Sequence, residues 1–236
     1  MEVSDLLIKY KFDENLNYSE IVNNLKKGDN LVLIKEFPLS DIEFQSFINH
    51  IGISLKENRN NNRKDIFDVK ISKQNNFFTS IANSNLAFPL HSDCADFDSI
   101  PNCIGLLCVE PASEEQGTNN FMFLNNLINE LSEYEIQYLL NKKWKFRNQW
   151  RSILIDNNGS YKICYDRITM ESFTEIQGKE REELNKLDKI FESLSLKIKL
   201  EKGDLILFRN DLMLHGRSEI DINSNRLIKR IRFNVN

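Results

Sequence analysis

The chain has 236 residues, of which 41% are hydrophobic and 28% are charged, and its formal net charge is −4. This length can bury a sizeable core, and the composition is typical of an ordinary globular protein. The acidic balance offers no basic surface for nucleic acid or for an anionic membrane. We therefore predict a small-molecule partner, with no nucleic acid and no membrane, while the oligomeric state stays open. No internal repeat or low-complexity linker divides the chain, so we expect a single domain over residues 1–236.

The cysteines and the N-terminus bear on the cellular compartment. The four cysteines (Cys94, Cys103, Cys108 and Cys164) form no C-x-x-C pair, so the sequence suggests neither a zinc ribbon nor a thioredoxin-type site. We expect them to be reduced thiols. The N-terminus lacks a basic start followed by a long apolar run, and no stretch is long enough to span a bilayer. These features predict a cytoplasmic protein.

The first quarter of the chain predicts two helices around one buried strand. Residues 18–27 indicate a short helix that ends before Gly28, and 31–35 is a compact apolar run typical of a buried strand. Ser40-Asp-Ile-Glu43 is a capping box that opens the second helix. His50 falls within that helix, where we interpret it as a surface or packing residue.

The remainder of the chain predicts many short strands and a few helices. Asn157-Asn-Gly159 is a hairpin turn signal, and Arg59–Arg63 is a predicted solvated loop. Strands are predicted at 65–71, 104–109, 118–123, 196–200 and 205–208, hairpin strands across 144–170, and helices from the Ser132–Glu135 capping box and over 179–194. Because strands and helices do not alternate, a doubly wound α/β fold is disfavoured. The pattern favours a mainly β fold with flanking helices and a double-stranded β-helix (jelly-roll) core.

Histidines are rare in this chain, and their settings suggest a metal site. The three are His50, His91 and His215, and His91 belongs to the run Leu90-His91-Ser92-Asp93. In a strand, residues i and i+2 project to one face, which would bring His91 and Asp93 together. A second histidine from a distant strand would complete the two-histidine, one-carboxylate set of non-haem Fe(II) oxygenases. The alternative is a polar pair at a strand end.

The C-terminal stretch carries the strongest motif. Its residues are Gly203-Asp204, Asn210, His215-Gly216-Arg217, and then Arg226 and Arg230 in an Arg-x-x-x-Arg spacing; Gln116-Gly117-Thr118 stands upstream. With His91-x-Asp93, this order resembles the TauD and clavaminate-synthase-like Fe(II)/2-oxoglutarate dioxygenases. The likeness extends over roughly residues 30–236 in segment order.

The resemblance implies a role for each matched residue. His91, Asp93 and His215 would be the catalytic Fe(II) ligands. Arg226 would grip the distal carboxylate of 2-oxoglutarate, assisted by the Thr118 hydroxyl. A planar guanidinium suits this task because it offers a carboxylate two parallel donors, which lysine cannot do.

Residues for the substrate are less sharply indicated. Arg230 shares a strand face with Arg226, so it would either meet an anionic group of the substrate or remain a cation at the barrel rim. Residues 77–88 either line a pocket or form an irregular loop over the core, and Asn85 lies within them. Asn85 and Arg167, near the aromatic hairpin, are our other candidate substrate contacts.

The resemblance implies an enzyme that uses Fe(II), 2-oxoglutarate and O₂ to hydroxylate or desaturate an unactivated C–H bond. Its substrate would be a small molecule, an amino acid or an amino-acid-derived metabolite. The family's halogenating relatives have Gly or Ala in place of Asp93, so chlorination is disfavoured. Arg217 and Asn210 would support the second histidine or shape its turn.

Other function classes remain open. One is a non-catalytic jelly-roll protein that binds a metal or ligand without turnover, although such a protein has no need for a keto-acid site. A cupin-type metal enzyme would usually need a third well-placed histidine. A nucleic-acid demethylase is weakened by the lack of a basic stripe.

Overall fold

The computed structural model describes residues 6–56, 65–74, 77–78, 80–113 and 115–235. The predicted loop Arg59–Arg63 lies outside these residues. The strands in chain order are β1 (Leu7–Lys11), β2 (Leu31–Lys35), β3 (Ile53–Ser54), β4 (Ile66–Val69), β5 (Lys73–Gln74), β6 (Phe77–Phe78), β7 (Phe88–His91), β8 (Cys103–Glu110), β9 (Asn119–Phe123), β10 (Lys143–Phe146), β11 (Gln149–Ser152), β12 (Leu154–Asn157), β13 (Ser160–Ile163), β14 (Leu196–Ile198), β15 (Leu205–Arg209), β16 (Met213–Arg217) and β17 (Leu227–Asn234). The helices are α1 (Tyr18–Lys27), α2 (Asp41–Ile51), α3 (Leu124–Glu130), α4 (Glu133–Asn141), α5 (Arg167–Phe173) and α6 (Gly178–Ser193), with a 3₁₀ turn at Ile81–Asn83.

Two sheets form the core of the fold. The larger has the order β1-β2-β15-β8-β17-β3, with β4 also paired to β17, and the smaller has the order β14-β9-β16-β7. Strands β1 and β2 are parallel, whereas the pairs within the smaller sheet are antiparallel. A buried apolar layer from both sheets fills the space between them, including Ile104, Phe121, Phe208 and Ile228. The predicted double-sheet jelly-roll architecture is confirmed.

The first two helices cover the outer face of the larger sheet. The side chain of Asn17 accepts the backbone N–H of Glu20 at the start of α1, and Gly28 ends the helix with φ +74°. At the start of α2, the side chain of Ser40 accepts the N–H of Ile42. Both helices bury their apolar faces against the sheet, as their sequence periodicity predicts. Within the described ranges, no helix is long and apolar enough to cross a membrane.

The remaining helices and two hairpins pack on the outer face of the smaller sheet. Ser132 and Glu135 form the predicted reciprocal capping box of α4. The hairpins β10–β11 and β12–β13 confirm the strands expected in this region. The prediction that strands continue to residue 170 is wrong, because α5 begins at Arg167. Asp166 caps that helix by accepting the N–H of Thr169, a contact that strand periodicity does not reveal.

A close approach between β16 and β7 positions the site described below. The two strands are antiparallel, and His215 pairs with His91 in their register. A Cβ added at Gly216 would lie 2.6 Å from the carbonyl oxygen of Phe88 and 3.1 Å from the N of Leu90. Glycine is therefore the residue that lets these strands lie against each other with this register.

Candidate metal centre

Strand pairing brings the two predicted histidines together, while a turn delivers the carboxylate. The rings of His91 and His215 have centroids 4.3 Å apart. Asp93 lies in the turn after β7 rather than in the strand itself, which corrects the expectation of simple i, i+2 alternation. Asn210 holds it there: its Oδ1 accepts the N–H of Asp93 at 2.8 Å, and its Nδ2 donates to the carbonyl of Asp93 at 3.1 Å. Asn210 thus contacts the carboxylate residue, not the second histidine.

The three side chains converge on one small space. One potential ligand atom from each lies within 4.8 Å of the others, and all three residues are buried. Oδ1 of Asp93 is 3.3 Å from Nε2 of His91 and 3.7 Å from Nε2 of His215. Nε2 of His91 is buried without a hydrogen-bond partner among the described residues.

The protonation of these groups suits a metal cation. Nδ1 of His91 lies 2.9 Å from the carbonyl of Pro89, which can only accept, so Nδ1 donates there and Nε2 is the ring nitrogen that faces Asp93. Burial, with the nearby His91, lowers the pKa of His215 well below its usual value and keeps it neutral. Burial alone would raise the pKa of Asp93, but Arg230 and Arg232 hold it well below its usual value, and so ionised.

Two imidazoles and one carboxylate whose potential ligand atoms lie within 4.8 Å of one another form a metal-binding arrangement. Phe88 stacks on His91 with ring centroids 3.8 Å apart, and Phe208 lies 4.9 Å from His215. The donor set is the facial triad that binds non-haem Fe(II) and leaves coordination positions open, so these residues fit that metal.

A second cluster surrounds Arg226. Its Nη2 lies 3.4 Å from Oδ1 of Asn119, and a Cβ added at Gly117 would lie 3.1 Å from its Cδ. The half-buried Thr118 follows Gly117, and its backbone is tied to Ser218 by two hydrogen bonds. The structure therefore brings the predicted pair Thr118 and Arg226 into one neighbourhood.

Arg226 is a buried cation without an acidic partner in the described part of the chain. Burial, together with the charge of Arg217, lowers its pKa to about 10. Arg217 is also buried, and its guanidinium donates to the carbonyls of Ser84 and Ser218, each at 3.1 Å. Two neighbouring buried guanidiniums can be stabilised by an anion, because burying a charge is costly unless it is paired.

The last strand contributes two more arginines, and both reach Asp93. Nη1 of Arg230 lies 3.1 Å from Oδ2 of Asp93, and its guanidinium lies over the ring of Phe67 at 5.0 Å from the centroid. Nε of Arg232 donates to the same Oδ2 at 2.7 Å. Arg232 was not singled out from the sequence, although its i+2 spacing from Arg230 places it on the same strand face.

The other two candidate substrate residues lie in different settings. Asn85 is half-buried, and its carbonyl accepts the N–H of Ile220 at 2.9 Å. Arg167 is buried at the start of α5. Its guanidinium donates to Glu171 at 2.9 Å and to Asp188 and Asn185 at 3.0 Å. The structure therefore places the Arg167 side chain among polar groups of α5 and α6.

Comparison with solved structures relates this architecture to known oxygenases. The chain superposes on asparagine oxygenase with a TM-score of 0.73 at 15% identity, covering 92% of this chain and 78% of that one. For the non-haem iron oxygenase OrfP in complex with Fe and alpha-ketoglutaric acid, the TM-score is 0.70 at 13% identity, with 92% and 79% coverage. For the PvcB protein from Pseudomonas aeruginosa, the TM-score is 0.72 at 13% identity, and the superposition covers 97% of this chain and 86% of that one. At these identities, the likenesses establish a shared fold.

Sequence comparison identifies the family. No curated protein matches the chain in a direct search. A family model, described as taurine catabolism dioxygenase TauD, TfdA family, matches residues 8–232. That range contains both histidines of the metal centre, its carboxylate, and the arginines of the last strand. The chain belongs to the TauD, TfdA family of dioxygenases.

Proposed function

We propose that this chain is an Fe(II)/2-oxoglutarate-dependent oxygenase that hydroxylates, or desaturates, an unactivated C–H bond of an amino acid or an amino-acid-derived metabolite. The observation that carries the proposal is the buried triad of His91, Asp93 and His215 in one fold with the anion-seeking Arg226. Two structural neighbours support it. Asparagine oxygenase is described in complex with Fe(II), 2S,3S-3-hydroxyasparagine and succinate, and OrfP with Fe, succinate and (3S)-hydroxy-L-Arg.

In this proposal, 2-oxoglutarate would be held by the cluster around Arg226. Its distal carboxylate pairs with Arg226, whose guanidinium offers two parallel donors, and accepts a further hydrogen bond from the Thr118 hydroxyl. Asn119 and Arg217 border the same cluster. Arg226 then gains the anionic partner that the described protein residues do not supply.

His91, Asp93 and His215 would hold the iron, and such a triad leaves coordination positions open. When bound, the iron supplies the oxidising chemistry of this class, in which 2-oxoglutarate and O₂ yield succinate, CO₂ and an oxidised substrate. Phe88 and Phe208 keep the imidazoles in an apolar surrounding and limit access of water. Asn210 keeps the backbone of Asp93 in place.

For the substrate, we propose that Arg230 binds an anionic group such as the α-carboxylate of an amino acid. Arg230 is buried, lies close to Asp93, and stands on β17 four residues after Arg226, which directly precedes that strand. Asn85 lies in the segment that Arg217 ties down through Ser84, so we propose it as a polar contact of the substrate. A substrate contact by Arg167 stays a prediction, since its guanidinium already pairs with Asp188 and its neighbours.

The buried free cysteines favour a reducing compartment, in keeping with a cytoplasmic enzyme.

The test is an anaerobic titration of the protein with Fe(II) and 2-oxoglutarate, in which the visible metal-to-ligand charge-transfer band is recorded. We expect the band in the wild-type protein and its loss in His91→Ala, because that variant lacks one of three iron ligands. His50→Ala is the matched control: His50 is an exposed histidine on α2 that stacks on Tyr18, and its removal should leave the band unchanged.

The same experiment separates the alternatives. With the band present, a screen of amino acids for substrate-stimulated succinate release follows, and a positive amino acid establishes turnover. Wild-type protein that binds Fe(II) but shows no band with 2-oxoglutarate would contradict the proposal. That result would favour the non-catalytic binding protein.

A further inference from the structure

Two arginines contact the carboxylate of Asp93, and they do so differently. Nε of Arg232 donates to Oδ2 at 2.7 Å. Nη1 of Arg230 lies 3.1 Å from Oδ2 and 3.4 Å from Oδ1, so it straddles the two oxygens. Arg232 therefore distinguishes one oxygen from the other, whereas Arg230 does not.

We propose that Arg232 is a positioning residue that fixes Asp93 as a one-oxygen metal ligand; this inference rests on the proposed function. With Oδ2 engaged by Arg232, Oδ1 is the oxygen that faces the two histidine Nε2 atoms, at 3.3 Å and 3.7 Å. A carboxylate held in this way presents a single lone-pair donor to the metal.

The one-oxygen arrangement matters because coordination positions are limited. A 2-oxoglutarate chelate needs two positions and dioxygen needs another, so an aspartate that bound through both oxygens would take a position from them. A charge-assisted hydrogen bond to Oδ2 prevents the carboxylate from rotating to bring this second oxygen to the metal. Hydrogen bonds to metal ligands commonly act in this way, by orienting the ligand and tuning its basicity.

The position of Arg232 is itself fixed by the fold, so this residue can hold the carboxylate of Asp93 in place. Arg232 is buried, its carbonyl accepts the N–H of Leu55 at 2.8 Å, and it pairs with Ile104 of β8 in the larger sheet. Asp93 is held from the other side by Asn210. Backbone and carboxylate of Asp93 are thus fixed independently by two buried side chains.

The test compares Arg232→Gln with Arg230→Gln, measuring Fe(II) affinity by anaerobic competition with a chelator and the band formed with 2-oxoglutarate. Each variant removes one positive charge next to the same carboxylate, so their shared electrostatic effect cancels in the ratio of dissociation constants. We expect Arg232→Gln to bind Fe(II) about tenfold or more weakly than Arg230→Gln, in the range usual for partners of metal ligands. We also expect the band to shift or broaden more in Arg232→Gln than in Arg230→Gln.

Arg232→Lys keeps the proposal testable if the glutamine variant does not fold. Lysine retains the charge but not the directed Nε–H donor, so we expect Fe(II) affinity below wild type and an altered band. Dissociation constants equal for the two glutamine variants, or a wild-type band in folded Arg232→Lys, would overturn the proposal. The wild-type band tests the proposed function separately: if it is present while Arg232 variants behave as wild type, only this inference fails. If the wild-type protein forms no band, both fail.

Discussion

Arg226 is a cation placed where water cannot solvate it. It is 5% exposed, its described polar contact is an amide oxygen at 3.4 Å, and its neighbour Arg217 carries the same charge. Such a residue contributes little to folding, because a buried charge without a counter-ion is destabilising. Its proposed value lies in binding the anionic co-substrate.

We therefore predict that Arg226→Met weakens 2-oxoglutarate binding without lowering the stability of the ligand-free protein. Loss of one partner of a buried charge pair typically costs about 2–5 kcal/mol of binding free energy. Isothermal titration of the Fe(II)-loaded protein measures the affinity, and thermal unfolding of the free protein measures the stability. Wild-type affinity in this variant would show that another residue binds the keto acid.

At the residue scale, the sequence was informative where chemistry is carried by residue type and short spacing. His91, Asp93 and His215 could be singled out because histidines are rare in this chain and the motif is short. Arg232 and the second contact of Asn210 could not, because each depends on where Asp93 lies after the chain turns.

The pairing of β7 with β16 is the element-scale feature on which the metal centre depends. It places His91 opposite His215, and the register shifts between His215 and Arg217. Backbone atoms of β7 occupy the space that a side chain at position 216 would need. The strands can approach this closely only with glycine there.

We predict that Gly216→Ala separates these strands and impairs Fe(II) binding. Overpacking of this kind typically costs about 1–3 kcal/mol of stability, and here the atoms that must move are backbone atoms. Gly159→Ala is the control, since nothing lies within 4 Å of a Cβ at that hairpin position. The control should lose some stability from its φ of +87° but keep wild-type Fe(II) affinity in a chelator competition. Equal affinities in the two variants would show that the strand spacing does not limit the site.

The ends of helices could be predicted from the sequence where a cap or a turn is formed by residues close together in the chain. Gly28 ends α1, and the Ser132–Glu135 capping box opens α4, as their residue types predict. Helix α5 was missed because its cap, Asp166, comes soon after the hairpin strand β13, and because the burial of the helix depends on the helices around it.

At the scale of the whole molecule, the described residues around the site include more buried cations than buried anions. Arg217, Arg226, Arg230 and Arg232 are all buried near the site, and Asp93 is the carboxylate that two of them contact. The triad would add a divalent cation to this excess. Binding of an anionic co-substrate is therefore expected to relieve repulsion throughout the interior.

We predict that Mn(II) with 2-oxoglutarate raises the melting temperature of the wild-type protein more than either alone. A ligand at about 100 times its dissociation constant stabilises the folded state by about 2.7 kcal/mol. A thermal-shift series with metal, keto acid, both, and both with a chelator measures the effect. In His91→Ala, the metal-dependent part of the rise in melting temperature should vanish. An equal shift in that variant would place the metal elsewhere.

The whole chain is proposed to act as a single domain over residues 1–236. Strand pairing supports this, because β17 near the C-terminus pairs with β3, β4 and β8 from the first half. Strand β2 pairs with β15 in the same sheet.

The sequence by itself determined the fold class and pointed to His91 and Asp93 as a pair, because local physics imposes periodicity and short spacing on any strand or turn. The roles predicted for His215 and for the two arginines of the Arg-x-x-x-Arg motif came from the resemblance to the dioxygenase family. Only the tertiary structure decided that Asn210 and Arg232 fix Asp93, that Gly216 sets the distance between the histidine strands, and that Arg167 faces α6. Each of these contacts joins residues distant in the chain, and the spacing of residues along a strand contains no information about which distant backbone will lie beside it.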